Sequence, residues 1–287
     1  MRTEADKLAR RFRLGSTDIA ALTGHSQFRT PIQVYRCVAE GYEEPESELM
    51  EIGTLMEPVI LELYRRRTGN ITAVVGQLLH SNGITVDTPD AFSDNLCAVE
   101  AKNVNSFSAD GWGVEGTDEV PAGPLLQGQW HMGHLRDAGM RVDGCDFAVL
   151  VGGMDFRMYH VRWDAKMFRD LLDIASTFHR EHIVPRIPPP VDGTGAYASY
   201  LTAKFPEERA PLMEATPEIE RWAADLRLRA SQLREAEKMT DEAKNRMRAL
   251  IGDAEGARGP GWWVTWKANK KGQRVLRTKF TGASADE

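Results

Sequence analysis

The chain is expected to fold as α/β (α+β), a mixed central sheet flanked by helices, on three observations. Short alternating apolar runs bounded by Gly, Pro, Asn and Asp read as strands. Longer runs with apolar residues every three or four positions read as helices, and the two kinds are interspersed over the first 190 residues. A Pro-rich stretch, Pro185 to Pro190, then separates this region from a tail of different periodicity, which gives two domains, 1–190 and 191–287.

Each element has a local reason. Ser16 or Thr17 can cap a short helix that runs through Leu22. Thr30-Pro31 starts a second, to about Ala39, with Pro at its first position. A longer helix spans roughly Ser47 to Arg67 and stops near Gly69. Strands follow near Val74 to His80 and Ile84 to Val86. Ala91 to Val99 reads as a β-hairpin turning at Ser93-Asp94-Asn95, and Leu125 to Ala138 reads as a helix. Phe147–Val151 and Phe156–Val161 read as strands paired through Gly152-Gly153, and Ala165 to Glu181 as a helix. In the tail, Ile219, Leu226, Leu233 and Met247 form one heptad row and Trp222, Ala236, Ala243 and Leu250 the next. These rows predict a long helix or a helical hairpin, with a possible break at Thr240-Asp241-Glu242 and a cap at Gly252. Two terminal strands, Trp262–Trp266 and Arg274–Phe280, join through Lys271-Gly272.

Composition narrows the classes. With 287 residues, 42% of them hydrophobic, the chain can bury one substantial core plus an appendage. No run of 18 apolar residues and no charged-then-apolar leader occurs, so a soluble, cytoplasmic protein is expected. Cys37, Cys97 and Cys145 lack CxxC spacing, which fits a reducing compartment and argues against a structural zinc or disulfide frame. The net charge of −6 alone disfavours nucleic acid. Its distribution does not: Arg258, Lys267, Lys270, Lys271, Arg274, Arg277 and Lys279 follow one another without an intervening acid. They form either a phosphate-contacting patch or a solvated basic hairpin.

The chemistry concentrates at Pro89-Asp90 and Glu100-Ala101-Lys102. Side chains at i and i+2 of a strand share a face, so Glu100 and Lys102 point together and Asp90 faces Glu100 across the hairpin. Two carboxylates and a backbone carbonyl can hold Mg²⁺ or Mn²⁺ against a phosphodiester, with Lys102 orienting the water or stabilising the oxyanion. A turn before a solvated Glu/Lys strand gives the same spacing. His131/His134 and His179/His182 have i, i+3 spacing but no HExxH acid, and read as structural or solvated.

Six segments fall in one order: Leu14-Gly15-Ser16-Thr17-Asp18-Ile19-Ala20-Ala21-Leu22, Gly53-Thr54-Leu55-Met56-Glu57-Pro58, Pro89-Asp90, Glu100-Ala101-Lys102, Gln127-Gly128-Gln129, and Val151-Gly152-Gly153-Met154-Asp155-Phe156-Arg157. Over about residues 10 to 190 that order resembles the YqaJ-like viral recombinase family, relatives of phage lambda exonuclease in the PD-(D/E)xK nuclease superfamily. The resemblance implies a restriction-endonuclease-like core and a Mg²⁺- or Mn²⁺-dependent exonuclease that enters at a double-stranded DNA end, 5′ to 3′. It implies a 3′ overhang delivered to a single-strand annealing protein, a trimeric ring as the assembly, and a phage or prophage origin in a bacterial cytoplasm. A structure- or sequence-selective endonuclease and an inactive DNA-binding scaffold are the rival readings.

The resemblance also distributes roles. Asp90, Glu100 and the Ala101 carbonyl hold the metal, with Glu57 or His80 supporting a second ion; Lys102 and Gln127 serve catalysis. Arg13, Ser16 and Thr17, at a helix start that favours anions, and Thr88 resemble a 5′-phosphate pocket. Lys267, Lys270, Lys271 and Arg274 are the candidate DNA contacts of the tail. Gln129, two residues beyond Gln127 on the helix, is expected to pack or cap elsewhere. One departure stands out: Ala91 follows Pro-Asp where relatives often have glycine, and alanine resists φ > 0.

Overall fold

In the computed structural model, which describes residues 11–45, 47–208 and 211–280, a five-stranded sheet carries the fold. Its strands are β1 (Thr72–Ala73), β4 (Ala91–Ser93), β5 (Cys97–Val104), β6 (Gly144–Val151) and β7 (Asp155–Arg162), in the order β1-β4-β5-β6-β7. Only β5 and β6 pair in parallel; the other neighbours are antiparallel, so the sheet is mixed as expected. A parallel pair needs a crossover over one face, and the helix at Ala122–Asp137 supplies it. β2 (Leu78–Leu79) and β3 (Val86–Asp87) make a separate two-stranded ribbon. They are far shorter than the strands expected there, because Gly76, Asn82 and Gly83 interrupt the apolar run.

The helices of this unit are α1 (Ser16–Leu22), α2 (Pro31–Tyr35, continued by a π-turn Arg36–Glu40), α3 (Glu48–Thr68), α4 (Ala122–Asp137), α5 (Ala165–Phe178, continued by a π-turn His179–Ile183) and α6 (Gly195–Lys204). Ser47 caps α3 by accepting from the Met50 N–H, and Gly69 ends it at φ 76°. Pro58 sits inside it. The cap of α1 is Gly15, not Ser16 or Thr17. Asp18 reaches back to the Gly15 N–H at 2.7 Å, so the two hydroxyl residues become the first positions of the helix.

Alternation along the strands sorts two cores. Val99, Ala148 and Leu150 face α3, where Ile60, Leu61 and Tyr64 cover them. Ala98, Cys145, Phe147 and Val149 face the other way, against Met132 and Leu135 of α4. A third core, mostly helical, joins Leu14, Ile19, Ile32, Trp130, Phe168, Tyr197 and Tyr200. The tyrosines move the domain boundary: α6 belongs with the first unit, which ends at Glu207 rather than at residue 190. Pro185–Pro190 is an internal connection, since Tyr197 Oη donates to the Pro189 carbonyl and Tyr35 Oη to that of Arg186.

The second unit, from Glu208, holds α7 (Pro217–Ile251) and a sheet of β8 (Gly256–Gly259), β9 (Trp262–Ala268) and β10 (Arg274–Phe280). Here α7 is one unbroken helix of 35 residues. The pairs Lys244–Asp241 and Arg246–Glu242 at i, i+3 and i, i+4 carry it through the expected break. The terminal hairpin gains a third strand, β8, on β9. Among the described residues no helix is long and apolar enough to cross a membrane.

Candidate metal-dependent active site

The hairpin register decides the site. Ala91 lies opposite Val99 and Phe92 opposite Ala98, which continues to Asp90 opposite Glu100. Ala91 and Val99 point into the α3 core, so their neighbours Asp90 and Glu100 share the opposite, α4 side. Asp90 Oδ2 accepts the Ala101 N–H at 2.8 Å, fixing the carboxylate against the peptide whose carbonyl was expected to meet the ion. Ala91 is buried inside β4 and is not among the positive-φ residues; the positive φ of this hairpin falls on Leu96, at 64°. The departure at Ala91 therefore imposes no strain.

Glu100 is buried and doubly engaged. Its Oε1 stands 2.5 Å from Lys102 Nζ, and Lys102 Nζ also donates to Gln127 Oε1 at 2.8 Å. Its Oε2 stands 2.9 Å from His131 Nε2, at ion-pair distance but without the alignment of a hydrogen bond, so both atoms lack a well-directed partner. His131 Nδ1 meets Asp87 Oδ2 at 2.6 Å, and the other Asp87 oxygen is buried without a partner. A chain thus runs Asp87–His131–Glu100–Lys102–Gln127, with both α4 residues one helical turn apart on one face.

The charges follow from this packing. Burial would raise the Glu100 carboxyl, but Lys102 and His131 outweigh it and hold the group well below the usual carboxylate range. Burial pushes Asp90 well up, and the Glu100 and Glu57 carboxylates push it further. Glu57 is likewise raised, by burial and then by Glu100, which places it within electrostatic reach of the pair from the α3 side. Lys102 is pulled down by burial but raised overall by Glu100 and Asp90, so it carries its proton at neutral pH. His131 is held protonated in the same way, by Asp87 and Glu100 against burial.

Asp90, Glu100 and Glu57 are oxygen donors that repel one another. That donor set suits a hard divalent cation, which would relieve the repulsion. Asp90 and Glu100 would hold it, with Glu57 within electrostatic reach.

Other expected residues lie elsewhere. His80 does not join the carboxylates: its Nδ1 accepts the Asn82 N–H, its Nε2 faces Asp137 Oδ1 at 3.5 Å, and its ring packs edge-on against His134 and at a tilt against Phe168. The histidine at the site is His131, a residue read as structural from sequence. Its position four residues after Gln127 was the available clue. Arg13 donates to the Gly83 carbonyl, and the α1 start is occupied by Asp18, itself paired with Arg29 at 2.5 Å. The helix terminus expected to favour an anion is thus served by the chain's own carboxylate. Ser16 is half-buried, and Thr17 and Thr88 are exposed. Gln129 bridges the Arg162 carbonyl and the Asp164 N–H, stapling β7 to α5.

In the tail unit, Arg274 is committed internally. It stacks 3.7 Å over Trp266 and donates to the carbonyls of Trp266, Gly252 and Ala254, closing the C-terminus of α7. Lys267 pairs with Glu255. Lys270 and Lys271 stand at the exposed hairpin turn.

Comparison with known proteins agrees with this layout. Two structures of LHK-Exo resemble it: the alkaline exonuclease from Laribacter hongkongensis, at TM-score 0.52 and 18% identity, and LHK-Exo in complex with dAMP, at 0.51 and 19%. They cover 70% of this chain and 99% and 97% of their own, and show that the fold is shared. The uncharacterized protein YqaJ of Bacillus subtilis (strain 168) is 21% identical over 282 residues, 95% of this chain and 86% of that one. Residues 7–137, the stretch that carries Glu57, Asp90, Glu100, Lys102 and Gln127, match the YqaJ-like viral recombinase domain.

Proposed function

We propose that the protein is a divalent-metal-dependent DNA exonuclease of the lambda exonuclease type, using Mg²⁺ or Mn²⁺. The observation that carries this reading is the shared face of Asp90 and Glu100 with the Lys102–Gln127 pair beside them. Its fold likeness to an alkaline exonuclease, one structure of which holds dAMP, supports the same class.

The reaction joins a water oxygen to phosphorus and breaks the bond to the leaving sugar oxygen. A cation held by Asp90 and Glu100 would lower the pKa of its water and offset charge on the phosphate. Lys102, protonated, is a donor to the attacking oxygen or the developing oxyanion rather than a base. Gln127 fixes the ammonium from α4, and Glu100 fixes it from β5. Digestion 5′ to 3′ from a duplex end, a 3′ overhang passed to an annealing protein, and assembly as a ring belong to the same proposal. Lys270 and Lys271 are the tail residues best placed to meet phosphate.

The test is digestion of linear duplex carrying 5′-phosphate or 5′-hydroxyl ends, beside a closed circular duplex, with and without Mg²⁺. Linear DNA should be consumed and the circle left intact, with Lys102→Ala slowed by orders of magnitude. Cutting of the circle would make the protein an endonuclease, and full activity in Lys102→Ala would place the site elsewhere.

A further inference from the structure

We propose a second metal site, of zinc type, formed by Cys97, Asp146 and His160 on the face of the sheet opposite the carboxylate site. Ligand atoms of these three residues, one each from β5, β6 and β7, lie within 4.8 Å of one another. Cys97 shares the strand face of Val99, not that of Glu100, and Asp146 shares the face of Ala148, so the cluster opens on the α3 side. Thiolate, imidazole and carboxylate are the donors that zinc takes, and three protein ligands leave one position for water. A hard cation suited to the all-oxygen carboxylate site would gain little from the sulfur.

Two observations show the cluster to be built. Asp146 is buried and its Oδ2 is fixed by two donors, Tyr64 Oη at 2.6 Å and Asn95 Nδ2 at 3.1 Å. Those bonds orient the carboxylate and turn Oδ1 toward His160 Nδ1, 2.7 Å away; such outer contacts commonly support metal-binding carboxylates. Gly144 supplies the second: a Cβ there would stand 2.4 Å from His160 Cε1 and 2.8 Å from Nε2, so only glycine lets the imidazole lie against β6. Cys97 is buried, whereas the His160 side chain is 46% exposed and gives an ion a way in.

Loading balances simply. The Cys97 thiol loses its proton to solvent and sulfur binds the ion. His160 gives its Nδ1 lone pair to the ion, any proton there passing to Nε2 or to solvent, and Asp146 Oδ1 exchanges its contact with that nitrogen for a metal contact.

The full-length chain, stripped with chelator, is titrated with Co²⁺ as a spectroscopic stand-in and then with Zn²⁺. The expected result is a sulfur-to-cobalt charge-transfer band saturating at one equivalent and bleached by Zn²⁺. The band should persist in Cys37→Ser and in Asp90→Asn, and vanish in Cys97→Ser. His160→Ala, a change at a half-exposed side chain that leaves the core intact, should abolish it too. Tyr64→Phe should weaken Co²⁺ binding roughly 10- to 100-fold. No band in the wild-type chain, or a band surviving both Cys97→Ser and His160→Ala, would overturn the proposal. Circular dichroism of each variant separates ligand loss from unfolding.

Discussion

His131 Nε2 lies 2.9 Å from Glu100 Oε2 while its Nδ1 lies 2.6 Å from Asp87 Oδ2, so one buried imidazolium bridges two buried carboxylates. The bridge sets the position and charge of the strand glutamate from the crossover helix. An isolated carboxylate as buried as Glu100 would be expected to take up a proton. Asp87→Asn should therefore weaken Mn²⁺ binding roughly 10- to 100-fold with the fold retained, as read by calorimetric titration. His131→Ala removes the cation from between two buried anions and should cost about 3–5 kcal/mol in a denaturant melt. Unchanged metal affinity in Asp87→Asn would show that the bridge serves stability alone.

Lys102 reaches the site by a different route, as a protonated donor held by Glu100 and Gln127. Loss of one preorganised donor to a developing oxyanion commonly costs about 10²- to 10³-fold in turnover. Lys102→Ala should fall by that order on linear duplex, and Gln127→Ala by less, because Glu100 still anchors the ammonium. Equal losses in the two variants would argue that Gln127 itself touches the phosphate.

His134 gives the fold a pH dependence of its own. Burial holds its imidazole down to about 4, with His80 and His131 adding to the effect and Asp87 opposing it. The unfolded chain takes a proton near 6.5 and the folded chain does not. Stability from this group is complete above about 6.5 and is lost as pH falls toward 4, by about 3 kcal/mol at most. His134→Gln keeps groups for the Trp130 carbonyl and the Thr85 hydroxyl and should lose less stability than wild type between pH 7 and pH 4.5. Equal losses in urea melts at the two pH values would sink this assignment.

Gly133 sets how closely α4 meets α5. A Cβ on it would stand 2.1 Å from Phe168 Cε2, far inside contact distance. Gly133→Ala should therefore destabilise by about 1–3 kcal/mol. Combining it with Phe168→Leu, which shortens the opposing side chain, should recover part of the loss, measured as coupling in a double-mutant cycle.

Arg274 separates structural from DNA-binding roles in the tail. Its bonds to the Gly252 and Ala254 carbonyls close α7, so Arg274→Ala should speed amide exchange in the last turn of that helix. Lys270→Ala with Lys271→Ala should leave exchange unchanged and weaken DNA binding in a salt-dependent way. Faster exchange in the lysine variant would reverse these roles.

The sequence by itself determined the element order around Asp90 and Glu100, because strand alternation and a polar turn leave little freedom in a short hairpin. It also assigned Gln127 and Lys102 to one catalytic site through a motif order that resembles a known family. Local chemistry could not say which histidine would stand beside Glu100. His80 and His131 both carry suitable imidazoles, and the choice was made by the parallel β5–β6 crossover, which swings α4 over one face of the sheet. Tertiary packing likewise took α6 into the first unit through Tyr197 and Tyr200, past a proline-rich stretch that reads locally as a boundary. It also gathered Cys97, Asp146 and His160, 63 residues apart from first to last, onto one face. Such contacts depend on the register between strands distant in sequence, a non-local property that no window of residues encodes.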